Sequence, residues 1–255
     1  MKPNKLLTRR NALIAGAAVL GGLILLPKRV LQLPPTYGNI LRMGDVLTYG
    51  AHRTFLSGRA LAKEYTHKDI SSFPATGTTD PASPVDPQTK PSELWSRLQR
   101  GGFVDWRLSI EGLVARPGYF SLADLKRFPS RTQITRHVCE EGWSAIAEWT
   151  GTPLSRVLES AGILPNARFV NFLSFDGWTD GVDMLDALHP QTILGYGMNG
   201  RDLPIPHGAP VRLRVETQLG YRSMKYLQRI VVTDSLDLLE KSGAFKSGWA
   251  WYAGI

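Results

Sequence analysis

The amino-acid sequence predicts an α+β fold built on a mixed sheet. Three observations point there. Apolar runs with strand character recur at 105–114, 168–175, 208–216 and 225–235. Short helices with recognisable start and stop signals fall between them at irregular intervals. No glycine-rich strand–turn–helix fingerprint of a nucleotide-binding α/β domain is present.

Taken in order, the segment 47–65 mixes arginines with apolar residues at helical spacing. Segment 71–93 is rich in Pro, Ser, Thr and Asp with hardly an apolar residue, and reads as a long surface loop. In 105–114, Trp106, Leu108 and Ile110 alternate with Arg107, Ser109 and Glu111, the pattern of a half-buried strand. A turn follows at Pro117-Gly118. The capping pattern Ser121-x-x-Asp124 opens a short helix that stops at Pro129. After it comes Ile134–Ile146, on a loop or strand end. A second helix is expected over 152–162, with Thr152 as N-cap, Pro153 in the first turn and Gly162 as its stop. Its apolar face is Leu154, Val157, Leu158 and Ala161. In the strand at 208–216, Val211, Leu213 and Val215 point inward, which leaves Arg212 and Arg214 together on the other face.

The net charge of +8 suggests nucleic acid until its distribution is read. Residues 1–29 carry Lys2, Lys5, Arg9, Arg10, Lys28 and Arg29 and no acid; without them 24 basic residues face 22 acidic ones. No basic stripe with interleaved aromatics remains, which argues against a nucleic-acid partner. The basic start, the pair Arg9-Arg10 and the uncharged run Asn11–Leu26 have the layout of an export signal of twin-arginine type. The expected organisation is therefore a signal or N-terminal anchor over 1–33, an extension and long loop over 34–104, and a compact core over 105–255. The expected location is the periplasm, free or held at the inner membrane by an uncleaved leader, with the twin-arginine export machinery as a partner.

Cys139 is the only cysteine. In an oxidising compartment cysteines usually pair, so a lone thiol is buried, modified or bound to something. Arg136, His137, Glu140, Glu141 and Trp143 crowd it in the sequence. Cations near a thiol lower its pKa and favour the thiolate, a soft ligand for a redox metal. Arg136 and His137 can also attract an anionic oxygen compound, and Glu141 can carry a proton. The loop 219–225 offers Gly220, Arg222, Ser223 and Lys225 to a phosphate, or is a plain surface turn. No C-x-x-C pair supports a thiol-exchange protein.

Four stretches, RHVCEEGWSAIAEWTGTPLSRVLESAG, DALHPQTILGYGMNGRDLPIPHGAPVRLRVE, LGYRSMKYLQRI and the terminal WYAGI, resemble the molybdopterin-binding domain of the sulfite oxidase family. The resemblance runs over roughly 45–255. It is strongest to the bacterial branch that includes the catalytic subunit of the periplasmic protein-methionine-sulfoxide reductase. It implies a sulfite-oxidase-type fold and a molybdenum–molybdopterin cofactor. It makes Cys139 the metal ligand and Glu141 an active-site acid. Ser174, His207, Arg212, Ser223, Met224 and Lys225 become cofactor contacts, with His52 and Arg53 further contacts from the early segment. The implied activity is oxygen-atom transfer, with reduction of a sulfoxide or N-oxide on a small molecule or an oxidised protein side chain. Sulfite oxidation and a metal-free exported binding protein are the alternatives. With no C-x-x-C-H haem motif in the sequence, electrons are expected from a partner such as a membrane haem protein or cytochrome. A monomer is expected, because the dimerisation domain of sulfite-oxidising relatives is not seen.

Overall fold

The computed structural model describes residues 43–56, 58, 60–84, 90–235, 238 and 248–255; the leader expected over 1–33 lies outside them. The chain divides into two compact units, 1–55 and 56–255. Of the first, the helix α1 (Met43–Phe55) is described. No described helix is long and apolar enough to cross a membrane.

The second unit is built on two five-stranded sheets. The first runs β2 (Gly118–Ser121), β1 (Arg107–Gly112), β10 (Leu227–Thr233), β5 (Phe169–Ser174), β6 (Thr179–Asp183). It is mixed as expected: β1 lies parallel to β10, and the other neighbours are antiparallel. The second is antiparallel and holds β3 (Arg131–Val138), β4 (Ser144–Pro153), β7 (Ile193–Met198) and β8 (Arg201–Asp202), with β9 (Arg212–Arg214) pairing β7 on the same edge as β8, away from β4. The main apolar core, with Leu108, Ile110, Phe172, Leu213, Ile230 and Val232 among its members, joins residues of both sheets, and a smaller cluster of Ala147, Trp149, Ile193, Met198 and Leu203 lies apart from it.

The helices follow their local signals with small corrections. The Ser121–Asp124 capping box opens α3 (Leu122–Arg127), its hydroxyl and carboxylate each accepting from the other's backbone N–H. In α4 (Leu154–Ala161) all four residues of the expected apolar face are buried, and Gly162 closes it in the left-handed conformation. Thr152 is not its cap. It ends β4, and its hydroxyl donates to Leu125 O at 2.7 Å. Helical structure in the 47–65 stretch stops at Phe55.

The segment 56–104, read as extension and loop, packs into the second unit. Tyr65 N–H donates to Ile134 O and Ser71 N–H to Ile146 O. Within it, α2 (Glu93–Arg100) buries Trp95 completely. Both residues of the pair Arg212/Arg214 are buried rather than solvated, at 4% and 1% exposure, since β9 is covered on both faces. That burial builds the site.

Candidate cofactor and active site

Strands β3 and β4 form a hairpin in which Val138 faces Ser144, leaving residues 139–143 as its loop. Cys139 N–H donates to Trp143 O at 2.9 Å, and Gly142 N–H to Cys139 O at 3.1 Å. Gly142 takes φ +90°, where a side chain would be strained. This tight loop sets the thiol at the wall of a cavity of about 620 Å³. Glu140 Oε2 lies 3.5 Å and Glu141 Oε2 3.9 Å from Cys139 Sγ. Trp143 Nε1–H donates to Glu141 Oε2 at 2.9 Å and steadies that carboxylate beside the sulfur.

The surroundings of Cys139 correct one expectation. Its thiol is not acidified. Burial pushes it up to about 11, and Glu140 and Glu141 push the same way against the Glu141 backbone N–H. Arg136, expected to help, points away. On β3 successive side chains alternate between faces, so Arg136 is exposed and stacks on Tyr65 at 5.3 Å while His137 turns inward.

His137 is part of a buried chain of polar groups. Arg214 is held by Glu216 through two bonds, Nε to Oε1 at 3.0 Å and Nη2 to Oε2 at 2.7 Å. Its Nη1–H meets His137 Nδ1 at 2.8 Å. A guanidinium only donates, so Nδ1 accepts and the ring carries its proton on Nε2. Burial first, then Arg214, Arg212 and His207, holds the imidazole down to about 2. On its other side Gly220 approaches so closely that a Cβ would stand 2.2 Å from His137 Nε2. A side chain at 220 would displace His137.

The opposite side of the cavity is basic. Arg212 Nη1–H donates to His207 O at 2.9 Å and Nη2–H to Ser223 O at 2.7 Å, and its guanidinium lies over Trp149 at 5.0 Å. Lys225 Nζ donates to Thr76 O at 2.8 Å, to Pro206 O at 3.2 Å and to Thr78 O. His207 is driven down to about 4 by burial and then by Arg212 and Lys225. The Lys225 bonds draw the segment Phe73–Thr78 along the cavity. Phe73, on the cavity wall, packs among three rings, with ring centroids 5.1 Å from His137, 5.4 Å from Trp149 and 5.4 Å from His207.

Residues 98–237 match the model of the oxidoreductase molybdopterin-binding domain family. The chain belongs to that family. Among curated proteins, it is 39% identical over 152 residues to the putative protein-methionine-sulfoxide reductase subunit YedZ1 of Azospira oryzae, covering 59% of this chain and 56% of that one. It is 31% identical over 166 residues to the protein-methionine-sulfoxide reductase catalytic subunit MsrP of Ralstonia nicotianae, covering 59% of this chain and 50% of that one. The chain thus spans about half the length of the curated relatives it matches. Among solved structures it is similar to the sulfane dehydrogenase SoxCD of Paracoccus pantotrophus, at TM-score 0.50 and 28% identity, over 52% of this chain and 39% of that one.

The residues of this molybdopterin-binding domain fit such a group. A soft thiol lines the same cavity as Arg212, Ser223 and Lys225, the donors that an anionic tail needs. Among the described residues no group of three or more His, Cys, Asp or Glu is placed to hold a metal ion. A metal at Cys139 would therefore take its other ligands from the cofactor.

Of the residues singled out in the sequence, His137, Cys139, Glu141, His207, Arg212, Ser223, Met224 and Lys225 all line the one cavity. Ser174 does not. Its hydroxyl donates to Trp178 O at 2.9 Å and to Asp176, and so shapes the β5–β6 turn that presents Asp176 and Trp178 to the cavity. His52 and Arg53 sit in the last turn of α1, where Arg53 lies over Tyr49 at 5.1 Å, and neither is a lining residue. The early segment that does line it is Phe73–Thr78. Its polar composition hid it, although a lone Phe in a polar loop was a usable signal. Glu140, Trp178, Tyr221 and Trp249 were also passed over as site residues.

Proposed function

We propose that the chain is an exported, molybdenum-dependent catalytic protein that reduces a sulfoxide, with methionine sulfoxide in protein as the leading substrate. One observation carries the reading: a single cavity brings the lone thiol and Glu141 together with the buried Arg212 and Ser223 and the half-buried Lys225. The names of the curated relatives support the substrate.

The overall reaction takes a sulfoxide, two electrons and two protons to a thioether and water. When bound, the molybdenum cofactor would supply the oxygen-atom transfer and store the electrons. Cys139 would bind the metal as thiolate, losing its proton as the metal enters. Glu141, exposed and 3.9 Å from Sγ, is the group through which protons from water reach the reacting oxygen. His137, kept neutral by burial and then by Arg214, carries its proton on Nε2 as a donor of fixed direction. Arg212, Ser223, Met224, Lys225 and His207 would hold the cofactor in the cavity they line. Phe73 fills the space between His137 and His207 and keeps water from it. Electrons would come from a membrane haem protein or cytochrome, in the periplasm.

Steady-state turnover of metal-loaded protein in both directions tests this. An artificial donor with a panel of sulfoxides and N-oxides should give turnover, and an artificial acceptor with sulfite should give little. Rapid sulfite oxidation without sulfoxide or N-oxide reduction would replace this reading by a sulfite dehydrogenase. Protein that takes up no molybdenum would replace it by a binding protein. Export is checked separately: Arg9→Lys with Arg10→Lys should keep the protein in the cytoplasm.

A further inference from the structure

The thiol and the basic group account for two sides of the cavity. A third is aromatic, made by Trp178, Tyr221 and Trp249. Trp249 reaches it on a terminal strap that is firmly anchored. Leu219 N–H donates to Ala253 O at 2.8 Å, and Ile255 N–H to Thr217 O at 3.0 Å. Ala250 O accepts from Tyr221 Oη–H and from Arg222 Nη2–H, each at 2.6 Å. Arg222 is itself buried against Asp180 of β6. Beyond it Trp251 and Tyr252 are buried at 4% and 5% exposure. Trp249 is thereby set with its ring centroid 4.9 Å from Tyr221 and 5.6 Å from Trp178. Its own exposure is intermediate, so indole surface is left at the cavity beside two rings that are buried.

The cavity that holds this wall carries charges of both signs. Glu140, Glu141 and Asp176 line it. Among the described lining residues the cations are Arg212 and Lys225, and both donate to backbone carbonyls. A charged group seated against the aromatic wall would give up water for rings, at a cost. An uncharged alkyl arm would meet only rings, a favourable exchange of water for aromatic surface.

Resting on the sulfoxide-reductase reading, we infer that Trp249, with Trp178 and Tyr221, is a positioning wall for the alkyl arm of an uncharged S-oxide, and selects a methionine sulfoxide inside a peptide. Free methionine sulfoxide carries an ammonium and a carboxylate that would both have to lose water beside the rings, whereas peptide amides carry no charge there. Dimethyl sulfoxide has no arm for the wall to hold.

The test uses cofactor-loaded protein and three variants, Trp249→Ala, Trp249→Leu and Trp249→Phe. Substrates are N-acetyl-methionine-sulfoxide amide, free methionine sulfoxide and dimethyl sulfoxide. With the capped compound, Trp249→Ala should raise KM about tenfold with kcat within about twofold, and Trp249→Phe should restore most of it. KM for dimethyl sulfoxide should move less than about twofold in every variant. The matching capped sulfone, which cannot be reduced by this reaction, gives a second readout by calorimetry. Its affinity should fall about tenfold in Trp249→Ala. Equal losses for dimethyl sulfoxide and the capped compound, or an unchanged sulfone affinity, would overturn the wall. If the wild type reduces no sulfoxide, the functional reading fails by itself. The sulfone titration still decides the wall: binding that is lost in Trp249→Ala supports it, and no binding to the wild type overturns it.

Discussion

Arg214 and His137 meet 2.8 Å apart in the protein interior, the guanidinium donating to Nδ1 of the imidazole. The contact joins β9 to β3, and so links the strand carrying Arg212 to the strand that leads into Cys139. Glu216 balances the Arg214 charge, and Gln133 Nε2–H donates to Glu216 Oε1 at 3.0 Å. Breaking a buried pair by removing one partner leaves the other charged and unsolvated, at a cost of about 3–5 kcal/mol. Arg214→Met should therefore lower stability by about that amount in chemical denaturation. Arg214→Met combined with Glu216→Leu should lose clearly less than the single variant. A double variant as unstable as the single one would show that the charge pair is not what Arg214 protects.

How far this arrangement can be read from sequence depends on which residues face inward. The strands β1, β5 and β10 are legible because their buried positions are apolar: Leu108 and Ile110, Val170 and Phe172, Ile230 and Val232. Strand β3 is not, because Gln133, Thr135 and His137 are buried there, and a polar interior erases the alternation. The same holds for β9, where burial of Arg212 and Arg214 is affordable only with Glu216 and backbone carbonyls as partners, which a linear pattern does not display. The cavity set from Cys139 to Lys225 was visible through the family resemblance. The Phe73–Thr78 segment was not, since its place depends on Lys225 reaching across 149 positions of chain to Thr76 O.

The depressed imidazole of His137 makes stability depend on pH. In the unfolded chain a histidine takes up a proton near pH 6.5, but in the folded protein His137 stays neutral down to about 2. The unfolded state therefore binds the extra proton, and stability present above about pH 6.5 is lost as the pH falls below it, by up to about 1.4 kcal/mol per pH unit. His207, held down to about 4, acts in the same direction. Asp180 opposes them below about 6, because burial raises its carboxyl and the folded state then takes up that proton. Melting temperature should fall between pH 7 and 6, where the histidines act with the least opposition, and less steeply in His207→Asn. A flat profile over that interval would mean that His137 is protonated in the folded state.

Cys139 should be an unreactive thiol until the cofactor arrives. Since burial and the two glutamates raise it to about 11, little thiolate is present at pH 7.5, and alkylation of cofactor-free protein should be slow. Reactivity should rise with pH above about 9, and Glu140→Gln should increase it at fixed pH. Purified holoprotein should contain about one molybdenum per chain if a single thiolate anchors one metal, and Cys139→Ser should lose both metal and turnover. Full metal loading with normal turnover in Cys139→Ser would remove the ligand role from Cys139.

Lys225 should act through the segment it holds as well as through charge. Its ammonium reaches Thr76 O at 2.8 Å, Pro206 O at 3.2 Å and Thr78 O, and Tyr226 Oη–H donates to Thr78 O at 3.1 Å from the next residue. Burial holds its pKa down to about 8, with Arg212 adding to the effect. Hydrogen bonds from a charged donor are worth about 1.5–3 kcal/mol. Lys225→Met keeps the length of the side chain and removes all three bonds. The Phe73–Thr78 segment should then exchange its amide hydrogens faster and be cut more readily by protease, while strands β1, β5 and β10 keep their protection. Cofactor retention through dialysis should fall together with that protection. Arg212→Ala should also release cofactor, but Arg212 donates to His207 O and Ser223 O and not to the segment, so exchange at Phe73–Thr78 should change less. If Lys225→Met leaves exchange at Phe73–Thr78 unaltered, the lysine holds the cofactor alone and the segment is kept in place by the packing of Phe73 against His137, Trp149 and His207.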